Sequence, residues 1–190
     1  MGSWGKVFRS AVLAAGAVIL VAGCSSGDEK PDASSQISTS PTIAPDAPTA
    51  FDACKLPESV MKSEGFLDRS TPGDQKGANG IRWRGCAWVV SDGYGADIST
   101  TNITLDMVRA NKEWAIYQEF AVDGRPALTY HDAGKTDMTS DCMMDVAMKG
   151  GSLEISIDNP PSSRKTGDTP SCDIAKRLAE QLVATIPADA

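Results

Sequence analysis

Two adjacent segments near the C-terminus alternate between apolar and polar side chains, the first over 142–148 and the second over 153–158. A period of two is typical of strands that bury one face. Gly150-Gly151 lies between the segments and marks a turn. The pattern therefore predicts a half-buried antiparallel hairpin. Its apolar face carries Cys142, Met144, Val146, Met148, Leu153, Ile155 and Ile157, with Glu154, Ser156 and Asp158 on the other face.

From Thr169 onward, the spacing of the apolar residues changes to a helical period. Thr169 is a good N-cap residue, and Pro170 fits the first position of a helix. Cys172 lies at the edge of the apolar half of this helix, so it can face the sheet. That half of the helical wheel carries Ile174, Ala175, Leu178, Ala179, Leu182, Val183 and Ile186.

Earlier patterns predict two further helices and four further strands. One helix runs over 56–64 and ends at Gly65; the other is capped by Thr104 and carries Leu105, Val108, Lys112 and Ile116. The predicted strands cover 81–90, 96–103, 119–122 and 127–131. The fold class predicted is α+β, an antiparallel sheet flanked by an N-terminal and a C-terminal helix and held by two disulfides.

The N-terminus is typical of an export signal. Lys6 and Arg9 precede an apolar run over 11–22, which is shorter than the roughly 20 residues that span a bilayer. The run ends in Val21-Ala22-Gly23-Cys24, which resembles the lipobox of bacterial lipoproteins. The resemblance implies cleavage after residue 23 and acyl chains, palmitate among them, on Cys24. Two or more acyl chains hold a protein stably at a membrane.

A polar stretch rich in serine and proline follows the signal. It has too few large apolar residues to offset its ordering entropy. We therefore expect a signal peptide at 1–23, a lipidated cysteine and flexible stalk at 24–50, and a single domain at 51–190. We expect the chain to lie on the extracytoplasmic face of the cell membrane, anchored through Cys24.

Four cysteines remain in the expected domain: Cys54, Cys86, Cys142 and Cys172. An even count in an exported domain indicates two disulfides, although three pairings are open. Cys54–Cys86 and Cys142–Cys172 are favoured, since each would link neighbouring elements. No two of these cysteines lie within four residues of one another, so no metal site is expected.

The net charge is −7, and it becomes −9 once Lys6 and Arg9 leave with the signal. Nucleic-acid binding depends on cationic side chains that neutralise phosphates, so no nucleic-acid partner is expected.

Several short motifs occur in a fixed order. Phe51-Asp52-Ala53-Cys54 follows the stalk, and Gly85-Cys86-Ala87-Trp88, 123–127 and Cys172-Asp173-Ile174-Ala175 come after it. Together they resemble the actinobacterial lipoprotein family known as domain of unknown function 3558, over 51–187 plus the lipobox. The resemblance implies export, anchoring and fold, but no reaction and no catalytic residues.

Candidate chemistry is sparse. No Gly-x-Ser-x-Gly motif occurs, and His131, the only histidine, is expected at the rim of the domain. Asp137, Asp141 and Asp145 recur every four residues, but a strand at 142 would break a helical stripe. They are expected to form a solvated acidic rim, with no metal or cofactor.

The aromatic residues leave two readings open, a ligand groove and ordinary packing. Trp88, Met144 and Met148 are expected in the core. Met138 and Met143 remain candidates for a binding surface. The remaining candidates for a groove are Trp83, Trp114, Tyr94, Tyr117 and Tyr130.

The functional expectation is a membrane-anchored, non-catalytic binding domain for an envelope protein, a lipid or a glycan. The alternative is a carboxylate-dependent hydrolase of the cell envelope, which needs two carboxylates about 5–10 Å apart in one cleft. A purely structural protein is a third reading, and it predicts no pocket.

Overall fold

The computed structural model describes residues 43–68, 70–135, 137 and 139–190. The predicted signal peptide, Cys24, most of the stalk and Met138 lie outside these residues. The helices are α1 (Glu58–Glu64), α2 (Leu105–Ala110) and α3 (Ser171–Val183). The strands are β1 (Thr71–Pro72), β2 (Gln75–Lys76), β3 (Arg82–Val89), β4 (Gly95–Thr101), β5 (Trp114–Val122), β6 (Arg125–Asp132), β7 (Asp141–Met148) and β8 (Gly151–Asp158).

The strands form one antiparallel sheet in the order β1-β3-β4-β8-β7-β6-β5, with the short β2 also paired to β3. The predicted hairpin over 142–158 is confirmed, and Met144 lies opposite Ile155. Its turn is displaced by one residue, because Gly151 already belongs to β8 while Gly150 takes the left-handed conformation with φ 84°. Strand β5 forms one edge of the sheet, and its register shifts between Ile116 and Gln118.

One face of the sheet, called here the first face, packs against α3. The helix buries its apolar side on β7 and β8, as the sequence pattern predicts. The disulfides Cys54–Cys86 and Cys142–Cys172 are the favoured pairings. The second of them joins β7 to the first turn of α3.

The start of α3 corrects the predicted cap. Pro170 is the N-cap residue, and no side chain caps the helix. Thr169 lies outside the helix, where its carbonyl accepts a hydrogen bond from Asn159 Nδ2 at 2.9 Å. The free N–H of Ser171 instead donates to the carbonyl of Thr139. A carbonyl group of the loop before β7, and not the Thr169 side chain, therefore accepts a hydrogen bond from the first turn of α3.

The middle helix is shorter than predicted. Thr104 caps it as expected, but α2 ends at Ala110, and Trp114 begins β5. Asn111 takes extended backbone angles there. Ile116 lies opposite Tyr130 in the sheet, so its helical spacing from Val108 is a coincidence of sequence.

The other face of the sheet, the second face, carries a smaller core. Leu105 and Val108 of α2 pack there with Ile103, Leu128 and Tyr130. Helices therefore contact both faces. Glu154 and Ser156 lie on this side of the hairpin, as the sequence pattern predicts.

The folded unit begins before residue 51. The Ala44 carbonyl accepts a hydrogen bond from Asn102 Nδ2 at 2.7 Å, and Asp46 forms an ion pair with Arg84 at 2.9 Å. Ala47 is buried. The end of the predicted stalk thus packs on the domain.

None of the helices in the described ranges is both long and apolar enough to span a membrane.

Candidate functional site

A groove of about 260 Å³ opens on the second face, beside the part that α2 covers. Its apolar walls come from four strands: Trp83 on β3, Trp114 on β5, Tyr130 on β6 and Met143 on β7. Trp83 and Trp114 are half-buried, so part of each ring faces solvent. The groove therefore presents aromatic surface to a ligand, as small-molecule sites commonly do.

Gly85 keeps the strands close together at the groove. A Cβ atom at this position would overlap the carbonyl oxygen of Ile98 on β4. Only glycine permits this approach of β3 and β4, which brings Ser99 into the lining.

Two carboxyl groups line the groove, those of Asp97 on β4 and Glu154 on β8. Asp97 pairs with Ser156 and Glu154 pairs with Ser99, so the two acids are diagonal neighbours across the strands. Diagonal neighbours have Cα atoms roughly 7–8 Å apart. Asp97 is exposed, whereas Glu154 is half-buried.

The Glu154 carboxyl is held by an aromatic wall of the groove. The Trp83 indole Nε1–H donates a hydrogen bond to Glu154 Oε2 at 3.1 Å. Burial raises the pKa of Glu154, and the charge of Asp97 adds to this; the Trp83 hydrogen bond only partly offsets both. Glu154 therefore favours the protonated form more than an exposed glutamate does.

A third carboxyl lies behind the groove. Asp145 on β7 is directly opposite Glu154 on β8, and its side chain is completely buried. Burial, reinforced by the charge of Glu154, raises the pKa of Asp145 well above its ordinary value. Two carboxylates that face each other away from water cannot both be ionised cheaply.

The contacts of Ser152 also fit a neutral Asp145. Ser152 Oγ lies 2.9 Å from the Ile103 carbonyl and 2.8 Å from Asp145 Oδ1, but the hydroxyl carries only one proton. If Ser152 donates to Ile103, the contact with Asp145 is a hydrogen bond only when Asp145 carries a proton and donates it. A protonated Asp145 thus satisfies both contacts.

Tyr130 connects the aromatic wall to the acidic pair. Its ring packs against Trp114 with centroids 5.0 Å apart, and the side chain is 1% exposed. Burial, reinforced by the neighbouring carboxyl groups of Asp145 and Glu154, raises the pKa of its hydroxyl, so this stays protonated. The hydroxyl lies beside the Asp145 carboxyl, at the buried end of the acidic pair.

Comparison with known proteins places this architecture in a family. The family described as "Protein of unknown function (DUF3558)" matches residues 19–185. The chain belongs to this family. No curated protein and no solved structure matches it. The membership confirms the predicted resemblance to domain of unknown function 3558.

In this DUF3558 chain, the aromatic candidates divide between the two faces. Trp83, Trp114 and Tyr130 line the groove, and Met143 joins them. Trp88 and Tyr94 lie in the first-face core, where both pack against Phe66. Tyr117 belongs to neither, since it is 53% exposed beside the irregularity of β5. Some of the aromatic candidates therefore line a groove, and others belong to the core.

The three regularly spaced aspartates of the DUF3558 chain do not form a rim. Asp137 is exposed and accepts hydrogen bonds from Thr139, and Asp141 forms an ion pair with Lys135 at 2.7 Å. Asp145 corrects the prediction, because the alternation of β7 directs it to the covered second face. In the ranges described here, no three His, Cys, Asp or Glu side chains are grouped to hold a metal ion.

His131 is half-buried on β6, opposite Ala115, and is not among the residues that line the groove. The neighbouring Tyr130 points to the groove, so alternation along the strand places His131 on the other face.

Replacing Asp145 with asparagine is expected to stabilise this DUF3558 domain above neutral pH. A carboxyl whose pKa is raised on folding opposes the native state as the pH rises above its unfolded pKa. Asp145→Asn removes that charge, and the amide can still donate to Ser152. We expect a gain of about 1–3 kcal/mol at pH 8, as for relief of a poorly satisfied buried polar group, shrinking toward zero near pH 4.

Urea unfolding at several pH values measures this difference. Asp141→Asn on the same strand is the matched control, since Asp141 pairs with Lys135 near the surface. That variant should show no gain at pH 8. Equal pH dependence of the Asp145→Asn variant and the wild type would contradict a protonated buried acid.

Proposed function

We propose that this protein is a membrane-anchored, non-catalytic binding domain on the extracytoplasmic side, and that its ligand occupies the second-face groove. The observation that carries the proposal is the groove itself, in which half-buried aromatic rings stand beside two carboxyl groups. Aromatic walls with a few polar groups among them are typical of small-ligand sites.

The location rests on the sequence of residues 1–24 and on the cysteines of the domain. The lipobox-like Val21-Ala22-Gly23-Cys24 supports acylation of Cys24. Cys54–Cys86 and Cys142–Cys172 are consistent with an oxidising compartment, where disulfides persist.

Anchoring is tested by labelled palmitate and membrane fractionation in the native host. We expect the label on the wild-type chain and in the membrane fraction. Cys24→Ser should lose both. A wild-type chain that carries no label would refute the anchor while leaving the groove hypothesis intact.

Binding in the groove is tested with 5-fluorotryptophan and ¹⁹F NMR on the purified protein. Trp83 and Trp114 line the groove, and Trp88 in the opposite core is an internal reference. Glycan fragments, lipid headgroups and small amines are the probes. A true ligand should shift the Trp83 and Trp114 resonances while leaving Trp88 in place.

Two substitutions on β5 provide a matched pair. Trp114→Ala should weaken binding by at least about tenfold, equal to 1.4 kcal/mol. Tyr117→Ala removes an exposed aromatic outside the groove and should change nothing. A ligand that binds both variants as well as the wild type would place the site elsewhere.

One observation favours the alternative, a carboxylate-dependent hydrolase. Asp97 and Glu154 line the same groove as diagonal neighbours, and the raised pKa of Glu154 suits a general acid. In such an enzyme, Glu154→Gln would abolish cleavage of an envelope glycan but retain binding. Absence of any cleavage by the wild type, with binding present, would eliminate this alternative.

A further inference from the structure

The groove has an unbalanced charge. Asp97 and Glu154 line it and Asp145 lies behind it, whereas no lysine, arginine or histidine of the described chain is among the lining residues. Arg82 and Arg84 flank Trp83 on β3, and with Lys76 they line an adjacent depression rather than the groove. Arg84 is also engaged by Asp46.

The aromatic walls of the groove also favour a positively charged ligand. Trp83, Trp114 and Tyr130 present indole and phenol rings next to these carboxyl groups. The face of an aromatic ring carries partial negative charge and attracts cations within about 6 Å of its centre. Rings and carboxyl groups together form the kind of site that recognises alkylammonium groups.

We propose that the second-face groove binds a small organic ammonium ion, with the cation between the Trp83 and Trp114 rings and the Glu154 and Asp97 carboxyl groups. This inference rests on the proposed function, because it assigns the ligand class of the same groove. The volume of about 260 Å³ suits a headgroup-sized ligand rather than a polymer.

Other ligand classes fit less well. An anion would meet Asp97 and Glu154 without a cationic partner in the lining, so its desolvation would go uncompensated. A neutral sugar could stack on Trp83 and Trp114, but it would leave the carboxyl groups without a counter-charge. Only a cation uses both features of the groove.

Binding of a cation is expected to change the protonation of Glu154. Glu154 is faced by Asp145 on β7, Asp97 on β4 and the Tyr130 hydroxyl on β6, with Asp132 farther along β6. An arriving cation favours the ionised carboxylate. Glu154 then releases its proton to the buffer, and in the complex the ammonium ion lies beside two carboxylates, those of Glu154 and Asp97. Affinity is therefore expected to rise with pH.

Choline and its neutral isostere 3,3-dimethylbutan-1-ol test the charge requirement, because they differ chiefly in charge. In the 5-fluorotryptophan-labelled protein, choline should shift Trp83 and Trp114 but not Trp88. The neutral isostere should bind at least about tenfold more weakly, a difference of 1.4 kcal/mol. Choline affinity should increase between pH 5 and pH 8, and calorimetry in two buffers should detect the released proton.

Two variants assign the effect to the groove. Glu154→Gln should reduce choline affinity about tenfold while leaving binding of the neutral isostere unchanged. Asp158→Asn removes the same charge from an exposed position on the same strand and should leave choline binding intact. If Glu154→Gln does not fold, Asp97→Asn at the exposed groove edge serves instead.

The outcomes separate this inference from the proposed function. Equal binding of choline and its isostere, or a ¹⁹F response to neutral sugars but not to choline, would overturn the ammonium assignment and leave the groove as the binding site. No response to choline at millimolar concentration would also overturn it. A ligand that shifts only resonances outside the groove would overturn the proposed function itself.

Discussion

Removing the Cys142–Cys172 disulfide by the double substitution Cys142→Ala and Cys172→Ala is expected to lower the free energy of unfolding by about 3.5 kcal/mol. The two cysteines are 30 residues apart, so the bridge closes a loop that would otherwise be free in the unfolded chain. Both side chains are also buried between β7 and α3, and their loss leaves unfilled space. For a small domain this is a large part of the total stability.

Urea unfolding followed by tryptophan fluorescence measures the effect. A loss of this size should move the midpoint by about 2 M, for a slope of roughly 1.5–2 kcal/mol per M. Removing Cys54–Cys86 is the natural comparison, since its separation of 32 residues predicts nearly the same loop term. A loss below about 1 kcal/mol would contradict the chain-entropy account for this bridge.

Replacing Glu64 with alanine is expected to cost about 3 kcal/mol, at the lower end of the range for breaking a buried ion pair. Glu64 ends α1 with its side chain 3% exposed, and it accepts hydrogen bonds from Arg177 at 2.8 and 3.1 Å. Tyr94 donates to the same carboxylate at 2.6 Å, and Gln181 donates as well. The Arg177 side chain is 46% exposed, so water can solvate its charge when Glu64 is absent, which limits the loss of stability.

The pH dependence distinguishes the charge from the packing of Glu64. Burial alone would raise the pKa of Glu64, but the hydrogen bonds from Arg177, Tyr94 and Gln181 outweigh it, and the pKa lies below its ordinary value. A lowered pKa contributes stability above the unfolded pKa, and this is lost as the pH falls through the folded pKa. The deficit of Glu64→Gln should therefore be full at pH 7 and smaller at pH 3.

Glu58→Gln on the same helix is the control for both Glu64 variants. Glu58 pairs with Lys62 at the surface, where both side chains are more than three-quarters exposed. Exposed ion pairs contribute little to the free energy of unfolding, so the Glu58→Gln variant should unfold like the wild type. A deficit for Glu64→Gln that is equal at pH 3 and pH 7 would contradict a role for the carboxylate charge.

Local periodicity was sufficient to predict the elements nearest the C-terminus. The alternation over 142–158 specified β7 and β8, and the apolar half of α3 faces the sheet as its spacing indicates. The favoured Cys142–Cys172 bridge followed because Cys142 lies on the apolar face of one element and Cys172 at the edge of the other. Each of these inferences used contacts between neighbouring segments.

The candidate site could not be predicted in the same way. Two residues of turn at Lys149 and Gly150 place Asp145 opposite Glu154, whereas a turn at Gly150-Gly151 would place it opposite Ser156. Because the predicted turn was displaced by one residue, the sequence pattern did not place Asp145 opposite Glu154. Its burial depends on Leu105 and Val108 of α2 packing on that face, which no local pattern specifies.

The β5 strand shows how tertiary pairing overrides local spacing. Val108, Lys112 and Ile116 fit a helical period, yet Trp114 and Ile116 complete the sheet beside β6. Pairing with β6 and packing against Tyr130 decide the outcome for these residues.

The register shift at Ile116 and Gln118 has a consequence for how molecules of this protein meet. Strand β5 is nine residues long at the margin of the sheet, and an uninterrupted margin of that length is a template on which a second molecule can add its own strand. The extra residue, Tyr117, breaks the regular spacing of backbone donors and acceptors midway. An incoming strand can match only half of this margin at a time, which discourages fibre-like stacking.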